Sequence, residues 1–325
     1  MFLPISLLVF TLSAVPLTTS SPTPIYRRSN CTNPSLRKEW RTLSRDEQIN
    51  YVEAVNCLTT KPSRIGLSSP LYDDFPYVHN QLNNEIHSVA SFLPWHRYFV
   101  HVYETALKEC GYKGSATYWD WTLDSLSPST STIWSATTGF GGNGSPNVTE
   151  PGDWGSARKC VADGPFKDLR PTYITDSYDP HCLSRSWNNG TSEPGRMLGE
   201  YYSPEVVDGV QALGNYTQYR YQLEGTPHGA IHAAIGGDMG PSTSPNDPIF
   251  FLHHTQIDRL WYLWQQQEPE KRNSEYSGIR TQDQFDGVTP PEAELEDWLP
   301  MRGLAADLQV KELMATESEL LCYTY

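Results

Sequence analysis

No two cysteines in this 325-residue chain are spaced as Cys-x-x-Cys, so thiolate zinc sites and thioredoxin-type redox sites are not expected. Positive charge is scarce. There are 24 Lys and Arg against 38 Asp and Glu, a net charge of −14. A chain of that sign repels phosphate backbones and anionic lipid, so neither nucleic acid nor membrane is an expected partner. No repeat of solenoid period is present, and no linker divides the chain. Apolar runs of spanning length are missing too. The most apolar stretch, at the N-terminus, is short and interrupted by proline.

That stretch, residues 1–20, reads as a secretory signal peptide. The dibasic pair Arg27-Arg28 suggests a propeptide over residues 21–28. The expectation is a secreted mature chain with one catalytic domain, residues 29–325. Six cysteines fit export, because an even count in an oxidising compartment supports up to three disulfides. The pairing is open at this level, although Cys31 and Cys322 could staple the two ends together. Sequons at Asn30, Asn143, Asn147, Asn189 and Asn215 are candidate glycan sites, Asn143 the poorest because of the proline after its serine.

Helical patterning falls in a few segments. Ser44 and Glu47 have capping-box spacing ahead of Ile49, Val52 and Val55. Asp74, with Pro76 in the first turn, predicts a second helix start. A third helix should run from Pro94 to a stop at Gly111, and a fourth from an Asp247 cap through Gln267. A shorter piece fits residues 224–237, and residues 290–298 have some helical potential. From Leu123 to about Tyr202, Gly, Pro, Ser and Asn dominate, which predicts loops and short strands. The fold class read from these signals is mainly α with long ordered loops.

Histidine is also sparse, nine in all, yet seven of the nine fall in two groups. His79, His87 and His96 form one. His228, His232, His253 and His254 form the other. On a helix, the four-residue spacing of His228 and His232 puts both imidazoles on one face, able to share a metal. Asp258 lies four after His254 and could accept its N–H, fixing its tautomer. His254 is therefore the expected ligand, and His253, about 100° away around the helix, a supporting residue. His101 and His181 are expected to be ordinary packed histidines. Imidazole suits Cu, Zn, Fe and Ni. Paired-metal hydrolases usually add carboxylate ligands, and none sits at the right offsets here. Two all-nitrogen triplets suit copper that activates dioxygen.

The segments from His87 to Trp121 and from Leu223 to Trp264 resemble the two copper-binding motifs of the tyrosinase and catechol oxidase family, most closely its short secreted fungal members. The resemblance implies a four-helix bundle core around a binuclear site holding two copper ions. His79, His87 and His96 match the ligands of the first copper, and His228, His232 and His254 those of the second. Glu224 matches an acidic residue that holds a water near the site, His232 is a candidate stacking partner for the substrate ring, and Tyr323 and Tyr325 match a closing tyrosine motif. Three positions depart from the pattern. Glu85 stands where some relatives carry a thioether-forming cysteine. Pro241 replaces a bulky gate residue, which suggests an open entrance. Gly229 stands where many monophenol-hydroxylating relatives have asparagine.

The implied reaction is oxidation of o-diphenols to o-quinones, with small phenols and dioxygen as partners and dioxygen reduced to water. Gly229 points to diphenol oxidation ahead of monophenol hydroxylation, and a tyrosinase doing both is the alternative. A dioxygen carrier of the hemocyanin type is a further class. Those units cover the site with a β-sandwich, and the residues after Trp264 do not alternate like strands.

Overall fold

The computed structural model describes residues 31–152 and 155–325. The expected signal peptide, propeptide, dibasic site and Asn30 sequon lie outside the described residues.

Helix α1 (Arg45–Leu58) opens as the spacing predicts. The Ser44 hydroxyl accepts the Glu47 amide at 3.3 Å, and the Glu47 carboxylate accepts the Ser44 amide at 2.7 Å. Tyr51, Val52, Val55 and Leu58 form its buried face. Helix α2 (Leu71–Gln81) begins a turn before the expected Asp74 cap. Asp74 is inside the helix, and its carboxylate accepts the Arg64 amide at 2.7 Å, pinning the preceding loop. The start is set by burial of Leu71 and Tyr72 rather than by a capping side chain.

A short α3 (Asn83–Ile86) leads into α4 (Phe92–Glu109), which ends before Gly111 at φ 87°, a left-handed stop that glycine adopts without strain. Three helices follow the loop region: α5 (Pro204–Gln211), α6 (Tyr216–Leu223) and α7 (Gly229–Ile235). Helix α8 (Ile249–Gln267) has Asp247 at its start, whose carboxylate accepts the Ile249 amide at 3.1 Å. No helix among the described residues is long and apolar enough to cross a membrane.

The helices are held by aromatic packing. Phe75 of α2 packs edge-on against Phe99 and Tyr103 of α4, and Phe99 also meets Phe250 and Phe251 of α8. Trp95, Trp261 and Trp264 are fully buried. Burial of each such ring contributes about 2–3 kcal/mol, so this cluster is a main source of rigidity around the site. The core is thus mainly α, a helical bundle with α2, α4, α7 and α8 around the histidines.

Strands are short, as the loop composition suggests. β1 (Ser35–Leu36) pairs in parallel with β8 (Tyr323–Thr324), in register Ser35 to Tyr323. β2 (Gly144–Pro151) and β3 (Ala157–Val161) form one hairpin, and β4 (Tyr173–Ile174) and β5 (Ser177–Tyr178) another. Residues 290–298 are not helical. Pro290 and Pro291 favour extended backbone, Glu292 bridges Ile279, and β6 (Trp298–Leu299) pairs with β7 (Leu308–Gln309).

Three disulfides close the molecule. Cys31–Cys322 staples the ends beside the β1–β8 pair, Cys57–Cys110 joins the ends of α1 and α4, and Cys160–Cys182 ties β3 to the following loop. No free cysteine is left among the described residues.

Candidate metal centre

Each of the four surrounding helices delivers at least one imidazole. His79 comes from α2, His87 from the turn after α3, and His96 from α4. His228 precedes α7, His232 lies within it, and His254 lies on α8. One ring nitrogen from each of His79, His87 and His96 falls within 4.8 Å of the others, and so does one from each of His228, His232, His253 and His254. The two groups abut. The His96 and His254 rings stack with centroids 4.4 Å apart, and those of His87 and His228 lie 6.5 Å apart.

Five of the six expected ligands are oriented in one way. Nδ1 donates to a backbone carbonyl: His79 to Ser242 at 2.6 Å, His87 to Asn83 at 3.1 Å, His96 to Phe92 at 2.8 Å, His228 to Glu224 at 2.9 Å and His232 to Met239 at 2.7 Å. Three of these carbonyls are four residues upstream in the chain, within reach by helical geometry alone. A proton fixed on Nδ1 leaves Nε2 as the free lone pair, the tautomer a metal requires. Nε2 of His228 and His232 and both nitrogens of His254 are buried without a partner. Unpaired buried polar atoms are costly. A metal ion is the species that satisfies several converging imidazole lone pairs at once.

Burial pushes the pKa of His79, His96, His228 and His254 well below the ordinary histidine value, and neighbouring imidazoles push the same way. His87 and His232 are lowered to about 4, chiefly by burial. All six rings are therefore neutral at neutral pH, as ligation demands. Phe92 and Phe250 floor the site, Phe92 against His96 and His228 and Phe250 against His79 and His254. His87 and His232 are the two expected ligands that are only partly buried, so access is from their side.

Asp258 is a correction. It does not orient His254. Its carboxylate accepts Arg97 Nε at 2.5 Å, Arg37 Nη1 at 3.1 Å and the hydroxyls of Tyr323 and Tyr325, each at 2.5 Å. Burial raises its pKa, and the two guanidiniums outweigh that and hold it below the usual carboxylate range. The four-residue spacing brought Asp258 onto the α8 face that looks toward α4 and the chain termini, where two arginines claim it.

His253 is fully buried, stacked 5.2 Å from His228, with both nitrogens unpartnered. Glu224 lies beside the site, its Oε1 accepting the Ser88 amide at 2.5 Å and its Oε2 accepting Arg220 at 2.8 Å. Burial raises its pKa, against the opposing pull of Ser88 and Arg220. Gly229 stands next to His228 at the start of α7. Glu85 is exposed and paired with Arg302 at 3.0 Å, so no side chain is joined to His87 from that position. His101 packs beside Tyr98, outside both groups. The residues that sequence reading missed are backbone partners, Ser242 and Met239 among them, which carry no side-chain signal.

Residues 70–267, which contain all six expected ligands, match the common central domain of tyrosinase. The tyrosinase-like protein phomQ2 of Diaporthe leptostromiformis is 42% identical over 91% of this chain and 74% of its own length. The tyrosinase ustQ of Aspergillus flavus is 39% identical over 98% of this chain and 85% of its own. Among solved structures, a glycine-to-asparagine mutant of the Thermothelomyces thermophila polyphenol oxidase superposes with a TM-score of 0.77 at 31% identity, covering 90% of this chain and 88% of that one. On the family match, these relatives and the paired histidine clusters together, the chain belongs to the tyrosinase family and is an oxidoreductase.

Proposed function

We propose that the chain oxidises o-diphenols to o-quinones with dioxygen as oxidant, using two copper ions. His79, His87 and His96 would hold the first, and His228, His232 and His254 the second. Each dioxygen takes the electrons and protons of two diphenols, giving two o-quinones and two waters. When bound, the copper pair supplies the redox capacity and the attraction for a phenolate oxygen. The observation that carries this reading is the shared orientation of the imidazoles, Nδ1 on carbonyls and free lone pairs turned into two adjoining clusters. Zinc hydrolysis lacks support, because among the described residues no carboxylate joins either histidine group.

The protein contributes geometry. Phe92 and Phe250 keep the inner side dry, and the partly buried His87 and His232 face the approach route of the ring. Diphenol oxidation is favoured over monophenol hydroxylation for a reason of proton transfer. A monophenol must lose its proton to bind as phenolate, and a water held by a carboxylate could take it. Glu224 is the carboxylate at hand; Ser88 and Arg220 each take one acceptor site on its two oxygens, which leaves room for a water. Gly229 adds no side chain to orient that water. A Cβ built there meets only the Glu224 carbonyl at 3.5 Å, an ordinary contact, so the backbone leaves space for a side chain to start at this position.

The test is oxygen uptake by the copper-loaded protein with a catechol and its matching monophenol. Uptake is expected on the catechol, slow or lagging on the monophenol. Gly229→Asn should raise the monophenol-to-diphenol rate ratio by about tenfold, a modest share of what a positioned base can contribute. Prompt uptake on both substrates by the parent would make it a hydroxylating tyrosinase. Uptake on neither, with both coppers bound, would sink the oxidase reading.

A further inference from the structure

His181 lies outside both histidine groups and is fully buried. Its Nδ1 faces the Asp179 carbonyl at 2.5 Å and its Nε2 the Asp238 carboxylate at 2.8 Å. Both partners are acceptors, so both ring nitrogens donate, which makes this ring an imidazolium, unlike the neutral ligands. The other Asp238 oxygen accepts the Ser184 amide at 2.7 Å and its hydroxyl at 2.9 Å. The Asp238 amide in turn donates to the Ser184 carbonyl at 3.0 Å. One short turn, residues 236–240, is thus gripped from the 181–184 loop at four points. The next residue, Met239, carries the carbonyl that His232 Nδ1 uses at 2.7 Å.

We propose that His181 is a positioning residue for the second copper site: through Asp238 it fixes the turn whose Met239 carbonyl sets the ring orientation and tautomer of His232. The inference rests on the reading that His232 ligates copper. Gly236 and Gly237 let the two segments approach so closely, since a Cβ on them would meet the carbonyls of Ser186 at 2.6 Å and Ser184 at 2.3 Å. Both have positive φ, 61° and 55°. The loop is itself anchored, by Cys160–Cys182 and by the His181 amide on the Pro171 carbonyl at 3.0 Å. The other charges nearby are committed elsewhere. Arg158 pairs with the Asp179 carboxylate at 3.2 Å, Glu150 accepts the Cys182 amide and pairs with Arg170, and Arg185 pairs with Asp247. Asp238 is therefore the carboxylate that neutralises His181.

The test measures copper affinity by chelator competition in two backgrounds. His96→Gln leaves the second site alone, and His254→Gln leaves the first. His181→Gln and Asp238→Asn are each added to both. Affinity at the second site should fall about 10–100-fold, the usual effect of losing a partner behind a ligating histidine. Affinity at the first site should hold. Ser184→Ala, which deletes one hydroxyl bond, carries the same test more mildly if the other variants do not fold. Equal weakening of both sites would show a merely structural residue, and unchanged affinity in a folded variant would overturn the proposal outright. In the metal-free protein, amide exchange at Asp238 and Gly240 should speed up in His181→Gln while α4 amides keep their rates. If the parent binds no copper, the oxidase reading fails, and exchange alone then decides whether His181 holds the turn.

Discussion

The carboxylate of Asp258 accepts Arg97 Nε at 2.5 Å, an ion pair buried between α8 and α4. Arg37 reaches the same carboxylate and also Glu104 at 2.8 Å, and its guanidinium lies 3.4 Å over the Tyr323 ring. Arg97 covers the Trp261 ring at 3.7 Å. Residue 258 therefore sits where both chain ends meet the helical core. Removing it takes the shared carboxylate from two buried guanidiniums, leaving Arg37 with Glu104 and Arg97 with the Leu313 and Met314 carbonyls and Gln265. Asp258→Ala should cost about 3–5 kcal/mol of stability by chemical denaturation, the expected range for breaking a buried pair. Copper content of the folded variant should match the parent, because His254 makes no bond to Asp258. Loss of copper from a stable, folded Asp258→Ala protein would return the residue to the metal site.

Local periodicity made α1 readable, since the Ser44–Glu47 box and the Tyr51–Leu58 face are contacts within one element. The histidine groups were readable because few chemistries need so many imidazoles, and resemblance then assigned them residue by residue. The partner of Asp258 was not readable. Helical spacing places a side chain on a face, while the identity of the facing element depends on tertiary packing. Arg37 and Arg97 are 221 and 161 residues from Asp258 in sequence. The same limit hid the Ser242 and Met239 carbonyls, and a proline pair defeated the helical pattern of residues 290–298.

His253 and His254 offer a direct comparison of neighbours. Both are buried with unpartnered nitrogens, and both lie among the second group. Only His254 stacks on His96, at the junction of the two clusters, while His253 ring-stacks on His228 and faces Trp121 at 6.3 Å. His254→Gln should lose the second copper, measured by metal analysis after dialysis. His253→Gln should retain both ions while weakening the second, by about tenfold, through its packing on His228. Equal copper loss in the two variants would make His253 a ligand.

Acid should unfold the metal-free protein early. Burial lowers His87 and His232 to about 4, whereas the unfolded chain titrates near the ordinary histidine value of about 6.5. Between those values the unfolded state binds more protons, so stability falls as pH falls through that window and levels off below it. The other four proposed ligands act in the same direction. The melting temperature of the apo-protein should drop steadily from pH 7 to pH 4. Copper would bind the neutral rings, so the loaded protein should resist the drop to lower pH. A melting temperature flat across this range would mean the clusters open to water before the protein unfolds.

The Cys31–Cys322 bridge and the Asp258 network act on one structure, the joined chain ends. The bridge closes nearly the whole described chain, its cysteines separated by 291 positions in sequence, and lies next to the β1–β8 pair and Arg37. Replacing both cysteines with serine should cost about 2–5 kcal/mol. Once the ends are free, Arg37 and Tyr323 can leave Asp258, so part of the network is already lost. The double change with Asp258→Ala should therefore cost less than the sum of the separate changes, with a coupling of about 1 kcal/mol or more. A denaturation cycle measures this directly. Strict additivity would show that β1 and β8 stay on the core without the disulfide, and that Asp258 serves only the α4–α8 contact through Arg97.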